Sequence, residues 1–124
     1  MVVVLNHTIV RSADKNTAAR FFAELLGLRG GEPSGPFAPV RVNSDLTLDF
    51  DDRLGAVPSH FGFLVDDVCF DRILRHLDEH SDVPFGSGPE HGWDHRINHL
   101  AGGRGVYVAA PDGHSYEFFT APPP

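Results

Sequence analysis

Cysteine is all but missing: Cys69 stands alone among 124 residues, which excludes an intrachain disulfide and any cluster of thiolate metal ligands. Any metal must therefore be held by nitrogen and oxygen donors. Basic residues are scarce as well, ten Lys plus Arg against seventeen Asp plus Glu for a net charge of -7. The basic stripe that a nucleic-acid partner requires is not there. No apolar run nears the roughly 20 residues of a membrane-spanning helix, and Met1-Val2-Val3-Val4-Leu5 is too short and uncharged for a signal peptide. A water-soluble, cytoplasmic chain that engages neither nucleic acid nor membrane is expected. Its content is 41% hydrophobic and 22% charged, near the globular average and enough for one buried core.

Eight histidines are present, and imidazole is both the commonest metal ligand and the usual general base near neutral pH. Their placement follows from the periodicity. Val2 to Val10 is a β-rich run, and Ser12 and Asp14 are candidate caps for a helix whose apolar stripe is Ala18, Phe21, Phe22 and Leu25, closing at Gly27. A Gly/Pro-rich stretch from Gly30 to Pro39 then leads to strands near Val40 to Val42 and Leu46 to Phe50. The second half repeats this plan: a strand from Phe61 to Val65, Asp66 or Asp67 as cap, and a helix to about His80 with the stripe Phe70, Ile73, Leu74 and Leu77. The two stripes are offset by about 52 residues and His7 and His60 by about 53, which reads as a fused duplication rather than a repeat array. A Gly/Pro/His-rich segment, Pro84 to Trp93, precedes the next strand, Pro111-Asp112-Gly113 makes a tight turn, and the tail Pro122 to Pro124 should fray. The expected fold is α+β: two tandem βαβββ modules, about 1–53 and 58–122, within one domain, forming a curved mixed sheet with helices on its outer face.

Because strand residues alternate between faces, the side chains that point together can be named. In the last strand Tyr116 and Phe118 share one face, while Ser115 and Glu117 share the other. The strand at 61 splits into Phe61, Phe63 and Val65 against His60, Gly62 and Leu64. The aromatic faces should pack under a helix, leaving His60 and Glu117 together. In the first half Thr47 and Asp49 oppose Leu46, Leu48 and Phe50, with Leu5, His7 and Ile9 on the same side as Asp49. Each half thus carries a histidine on its first strand and a carboxylate on its last, a donor set suited to Fe(II), Mn, Ni, Co or Zn.

The blocks Leu5-Asn6-His7-Thr8-Ile9-Val10, His60-Phe61-Gly62-Phe63-Leu64-Val65-Asp66-Asp67, Gly105-Val106-Tyr107-Val108 and Pro111-Asp112-Gly113-His114-Ser115-Tyr116-Glu117-Phe118 resemble those of the vicinal oxygen chelate superfamily. This family includes glyoxalase I, extradiol dioxygenases, and fosfomycin- and bleomycin-resistance proteins. The resemblance places His7, His60 and Glu117 on the family's ligand positions. Asp49 falls on a fourth, where glyoxalase I often has the longer Glu, so direct binding, binding through water and no binding all stay open. Tyr107 matches a tyrosine of the extradiol enzymes that hydrogen-bonds substrate, and Asn98 or His99 falls near one of their flanking histidines. The resemblance implies a metal-dependent enzyme that chelates two adjacent oxygens of a small molecule. A lyase or isomerase course would use Glu117 or Asp49 as base, and a ring-cleaving dioxygenase course His99 and Tyr107. It also implies a homodimer, with sites that two subunits can share. The alternative is a metal-free protein that sequesters a cationic drug, as bleomycin-resistance proteins do.

Other motifs read as structural. His95 and His99 lack the Glu of a zinc-protease helix, and Gly102-Gly103-Arg104-Gly105 lacks the Lys and helix start of a phosphate cradle. His76 and His80 are expected on the solvent face near the second helix's C-terminus, where positive charge suits the dipole. Cys69 reads as a buried inert thiol, and Trp93 as either a pocket wall or a gap filler.

Overall fold

Two short helices and seven strands lie in the order β1 (His7–Arg11), α1 (Lys15–Leu26), β2 (Ala38–Arg41), β3 (Thr47–Asp51), β4 (His60–Leu64), α2 (Asp67–Glu79), β5 (Phe85–Gly86), β6 (Gly105–Ala109) and β7 (Ser115–Phe119). The structure is a computed structural model and describes residues 1–123, so the end of the tail expected to fray, Pro124, lies outside the described residues. The chain divides into two compact units, Met1–Val57 and the part from Pro58 onward.

In the first unit the sheet order is β1-β3-β2, with β1 parallel and β2 antiparallel to β3. The expected strand from Val2 is shorter. Pairing begins where the Thr47 amide donates to the Asn6 carbonyl, and β3 offers no partner before that point, so Val2 to Leu5 stay exposed. Asp14 caps α1 by accepting from the Thr17 amide at 3.0 Å, and Gly27 ends it in the left-handed region at φ 69°. Ser12 is buried and takes no part in the cap. Ala18, Phe22 and Leu25 pack over β2 and β3 against Val10, Val40, Leu48 and Phe50, while Phe21 sits at the edge of the stripe. Among the described residues this unit has three strands, not four. The isolated bridges Gly30 to Val40 and Ser34 to Phe37 are what pairs in the intervening stretch, because paired glycines together with Pro33 and Pro36 cannot sustain a ladder.

The second unit has the full βαβββ plan, in the order β4-β7-β6-β5 with β4 parallel to β7. Asp66, not Asp67, caps α2, accepting from the Cys69 amide at 2.8 Å. Phe70, Ile73 and Leu77 are buried with Val106, Val108, Tyr116 and Phe118, and Leu74 lies at the margin. Arg104 ties this helix to the sheet: its guanidinium stands 4.5 Å over the Phe70 ring and pairs with Asp67 at 2.9 Å and Asp71 at 2.8 Å. Among the described residues no helix is long and apolar enough to cross a membrane.

Candidate active site

Parallel pairing of the first and last strands of the second unit brings residues far apart in sequence into register. His60 lies opposite Ser115, Gly62 opposite Glu117, and Tyr107 on β6 opposite Glu117 from the other side. Since Tyr116 and Phe118 turn into the core, His60, Ser115, Glu117 and Tyr107 all stand on the other face. There His60 Nε2 is 3.1 Å from Glu117 Oε1 and His60 Nδ1 is 3.3 Å from Ser115 Oγ. The Tyr107 ring stacks on the imidazole with centroids 5.9 Å apart and planes at 24°. Burial first, and then the charge of Glu117 and a hydrogen bond to it, push the Tyr107 phenol above its ordinary pKa, so it remains a proton donor. The Glu117 side chain is 16% exposed and that of His60 51%. Gly62 sets no side chain beside the carboxylate; a Cβ there would lie 3.9 Å from Glu117 Oε1, in ordinary contact, and 3.3 Å from the Phe119 ring.

A cavity of about 500 Å³ opens beside this pair, lined by His60, Tyr107, Ser115, Trp93 and the Gly88–Pro89 and Gly92 backbone. Its outer wall is a loop with little regular structure, pinned by side chains. Asp94 accepts from the Ser87 amide at 2.9 Å, the Ser87 hydroxyl at 2.7 Å and the Arg96 amide at 3.1 Å; these bonds, that of the Ser87 hydroxyl foremost, hold its carboxyl below the usual range. Asn98 donates to the Ser87 carbonyl at 2.9 Å and exchanges backbone bonds with Gly105. A second cavity, lined by Tyr107, His91, Asn98 and Leu100, shares Gly88 and Pro89 with the first.

The first unit carries the same relation in reduced form. His7 is opposite Thr47, and Ile9 is opposite Asp49, so His7, Thr47 and Asp49 repeat the positions of His60, Ser115 and Glu117. His7 is exposed, with Nδ1 2.9 Å from Asn6 Oδ1. The structure thus joins His60, Glu117 and Tyr107 in one cluster and puts His7 and Asp49 on one face of the other unit's sheet. His99 is exposed, just before a 3-10 turn at Leu100–Gly102, next to the cavity-lining Asn98. Among the described residues no group of three or more His, Cys, Asp and Glu side chains is gathered as a metal site. The pair in hand fits an ion all the same: two ligands at adjacent corners of a coordination shell with bonds of about 2.1 Å stand about 3.0 Å apart, close to the 3.1 Å between His60 Nε2 and Glu117 Oε1.

No family model and no curated protein matches the chain. Among solved structures it is 41% identical to "Oxidase ChaP-H2", covering 99% of this chain and 97% of that one at a TM-score of 0.91. It is 44% identical to "Oxidase ChaP-H1", covering 98% of each at a TM-score of 0.89. A glyoxalase / bleomycin resistance protein from Catenulispora acidiphila shares 21% identity, over 97% of this chain and 100% of that one, with a TM-score of 0.69. At 41–44% identity over nearly its whole length the chain belongs to one family with the two structures named as oxidases, and it shares the fold of the glyoxalase / bleomycin resistance protein. Two helices and two mixed sheets of three and four strands match the superfamily's module arrangement.

Within that frame, sequence reasoning had not singled out Ser115 as a partner of His60, nor Asp94 as the anchor of the cavity wall. The first was available from alternation, since Ser115 shares the face of Glu117. The second had no periodic signal. Trp93 does line a cavity, and Cys69 is half-buried with its thiol pushed up first by burial and then by Asp66, consistent with an inert role.

Proposed function

We propose that this chain is a metal-dependent oxidase or ring-cleaving dioxygenase that chelates two adjacent oxygens of a small molecule. The observation that carries the proposal is the His60–Glu117 donor pair, 3.1 Å apart at the edge of an aromatic-walled cavity. Identity of 41–44% to two structures named as oxidases supports the oxidative course over the lyase one. His60 and Glu117 would be two ligands and His7 the third, given by the same chain or by a second copy. Asp49 repeats the position of Glu117 but stands beside Ile9 rather than a glycine, which leaves it a contact through water. The two units would then act as one glyoxalase-like domain.

A divalent ion held there supplies Lewis-acid stabilisation of the charge that develops on the substrate oxygens and, as Fe(II), a redox couple for dioxygen. The remaining chemistry belongs to the chain. Trp93 and Tyr107 hold the apolar body of the substrate and keep water from the reacting edge. Ser115 steadies the His60 ring through Nδ1. Tyr107, protonated at working pH, donates its one proton to Glu117 in the free protein and would redirect it to a substrate oxygen entering the cavity. His99 would receive the proton that the substrate releases. A homodimer is part of the same reading.

Anaerobic loading with Fe(II), Mn, Ni, Co and Zn followed by metal analysis, oxygen uptake with catechols and a hemithioacetal lyase assay tests this reading. One ion per chain that is lost in His60→Ala, with Fe(II)-dependent oxygen uptake, is the expected result. A metal-free protein, or one whose His60→Ala variant keeps its ion, would overturn it in favour of sequestration.

A further inference from the structure

Two histidines at the C-terminal end of α2, His76 within the helix and His80 as its C-cap, take no part in the site above. His76 and His80 lie one helical turn apart, with ring centroids 3.9 Å apart and planes within 13° of parallel. His80 is exposed and His76 half-buried. His80 Nδ1 is 2.8 Å from the His76 carbonyl oxygen. A carbonyl can only accept, so Nδ1 carries the proton and Nε2 carries the lone pair. Imidazoles that bind metals are commonly set this way, with one ring nitrogen donating to a backbone carbonyl and the other left as ligand.

We propose that His76 and His80 form a second metal site, a surface bis-imidazole chelate for a borderline d-block dication, Cu(II) above Ni(II) or Zn(II). The order follows from the all-nitrogen donor pair and the general affinity ranking of these ions. The i, i+4 spacing across the helix end brings the two rings side by side, and the tautomer of His80 is already the one a metal needs. The lone pairs lie in the ring planes and run parallel in the stacked arrangement, so the rings must turn about their side-chain torsions for both nitrogens to converge on one ion, a change open to the exposed His80. Water completes the coordination. The site is built on the last turn of α2 and its C-cap and makes no use of His60 or Glu117, so it stands or falls apart from the proposed reaction.

The test is titration with Cu(II) alone of the full chain carrying His60→Ala and Glu117→Ala, which removes the other donor pair. One Cu(II) per chain should remain, with an electron paramagnetic resonance signal showing coupling to two imidazole nitrogens. Adding His80→Gln, or separately His76→Gln, should weaken binding at least tenfold and reduce the coupling to one nitrogen, with the far-ultraviolet circular dichroism of α2 unchanged. No binding in the parent variant, or binding that both glutamine changes leave intact, would overturn the proposal.

Discussion

Gly86 offers a substitution whose sign can be worked out in advance. It sits on β5 opposite Tyr107, and an added Cβ would lie 2.3 Å from the Gly92 carbonyl oxygen and 3.2 Å from both the amide nitrogen and Oδ1 of Asp94. Gly86 does not lie in the left-handed region, so alanine brings no backbone strain and would ordinarily stabilise by about 0.4–1 kcal/mol through the unfolded chain. Against that, a carbon-oxygen contact needs more than 3 Å, so the loop must retreat by about 1 Å, far enough to stretch the Asp94–Ser87 bonds. Overpacking of this kind costs about 1–3 kcal/mol, and steric exclusion wins by about 1–2 kcal/mol. For a chain of this size that lowers Tm by about 5 °C or more. Trp93 is the single tryptophan, so its emission reports the same loop and should shift to the red as the cavity wall loosens. Gly30→Ala is the control: nothing lies within 4 Å of its Cβ position and its φ is ordinary, so it should be neutral or slightly stabilising. A Gly86→Ala protein with unchanged Tm and emission would refute the view that close backbone approach holds the loop.

Tyr107→Phe keeps the stack on His60 and removes the hydroxyl, so metal affinity should change less than about threefold while kcat of oxygen uptake falls by about a hundredfold; equal losses in both would place Tyr107 in metal retention instead. The Arg53 side chain, through its hydrogen bonds, lowers the Asp51 carboxyl from 3.8 to about 2. A carboxylate depressed on folding stabilises most above its unfolded value and loses that stabilisation as pH falls toward 2, so the Tm difference between the parent and Arg53→Ala should be full at pH 6 and shrink progressively below pH 4, and a difference independent of pH would count against the ion pair. Phe70→Ala removes a ring with no exposed surface and the seat of the Arg104 guanidinium, and should cost about 3–5 kcal/mol in chemical denaturation; a loss below 1 kcal/mol would mean that α2 is not held by this contact.

Much of this molecule was legible in its sequence because its rules are local and repeated. The helix stripes, the Asp14 and Gly27 caps and the Phe118/Glu117 alternation each depend on spacing alone, and the offset between the halves confirmed one assignment with the other. Two things were not legible. Val2 to Leu5 have strand composition, but a strand needs a partner, and β3 starts at Thr47. The loop from Ser87 to Asn98 has no period to read, since its shape comes from Asp94 and Asn98 side chains bonding backbone groups. The site divides in the same way. The facing of His60 and Glu117 follows from alternation plus parallel pairing, whereas the cavity beside them depends on the irregular loop.

On the proposed reading, the internal repeat also accounts for the second half carrying the chemistry rather than the first. His7, Thr47 and Asp49 occupy the register positions of His60, Ser115 and Glu117, but the residue beside the carboxylate is Ile9 in one sheet and Gly62 in the other. An isoleucine sets a branched side chain beside the short Asp49 carboxylate; a glycine sets none beside the longer Glu117. Copying the first arrangement onto the second, Gly62→Ile, should therefore close the site without disturbing the strand. A Cβ at 62 comes nearer than ordinary contact only to the Phe119 ring edge, at 3.3 Å, and β-branched residues suit a strand, so stability should hold within about 1 kcal/mol. The added branches would crowd the space beside Glu117 Oε1, which lies 3.9 Å from the Cβ position, and metal affinity should fall at least tenfold. Asp49→Asn, by the same reasoning, should leave the metal content as it was. If Gly62→Ile bound its ion as tightly as the parent, or if Asp49→Asn released it, the carboxylate that matters would be the one in the first sheet.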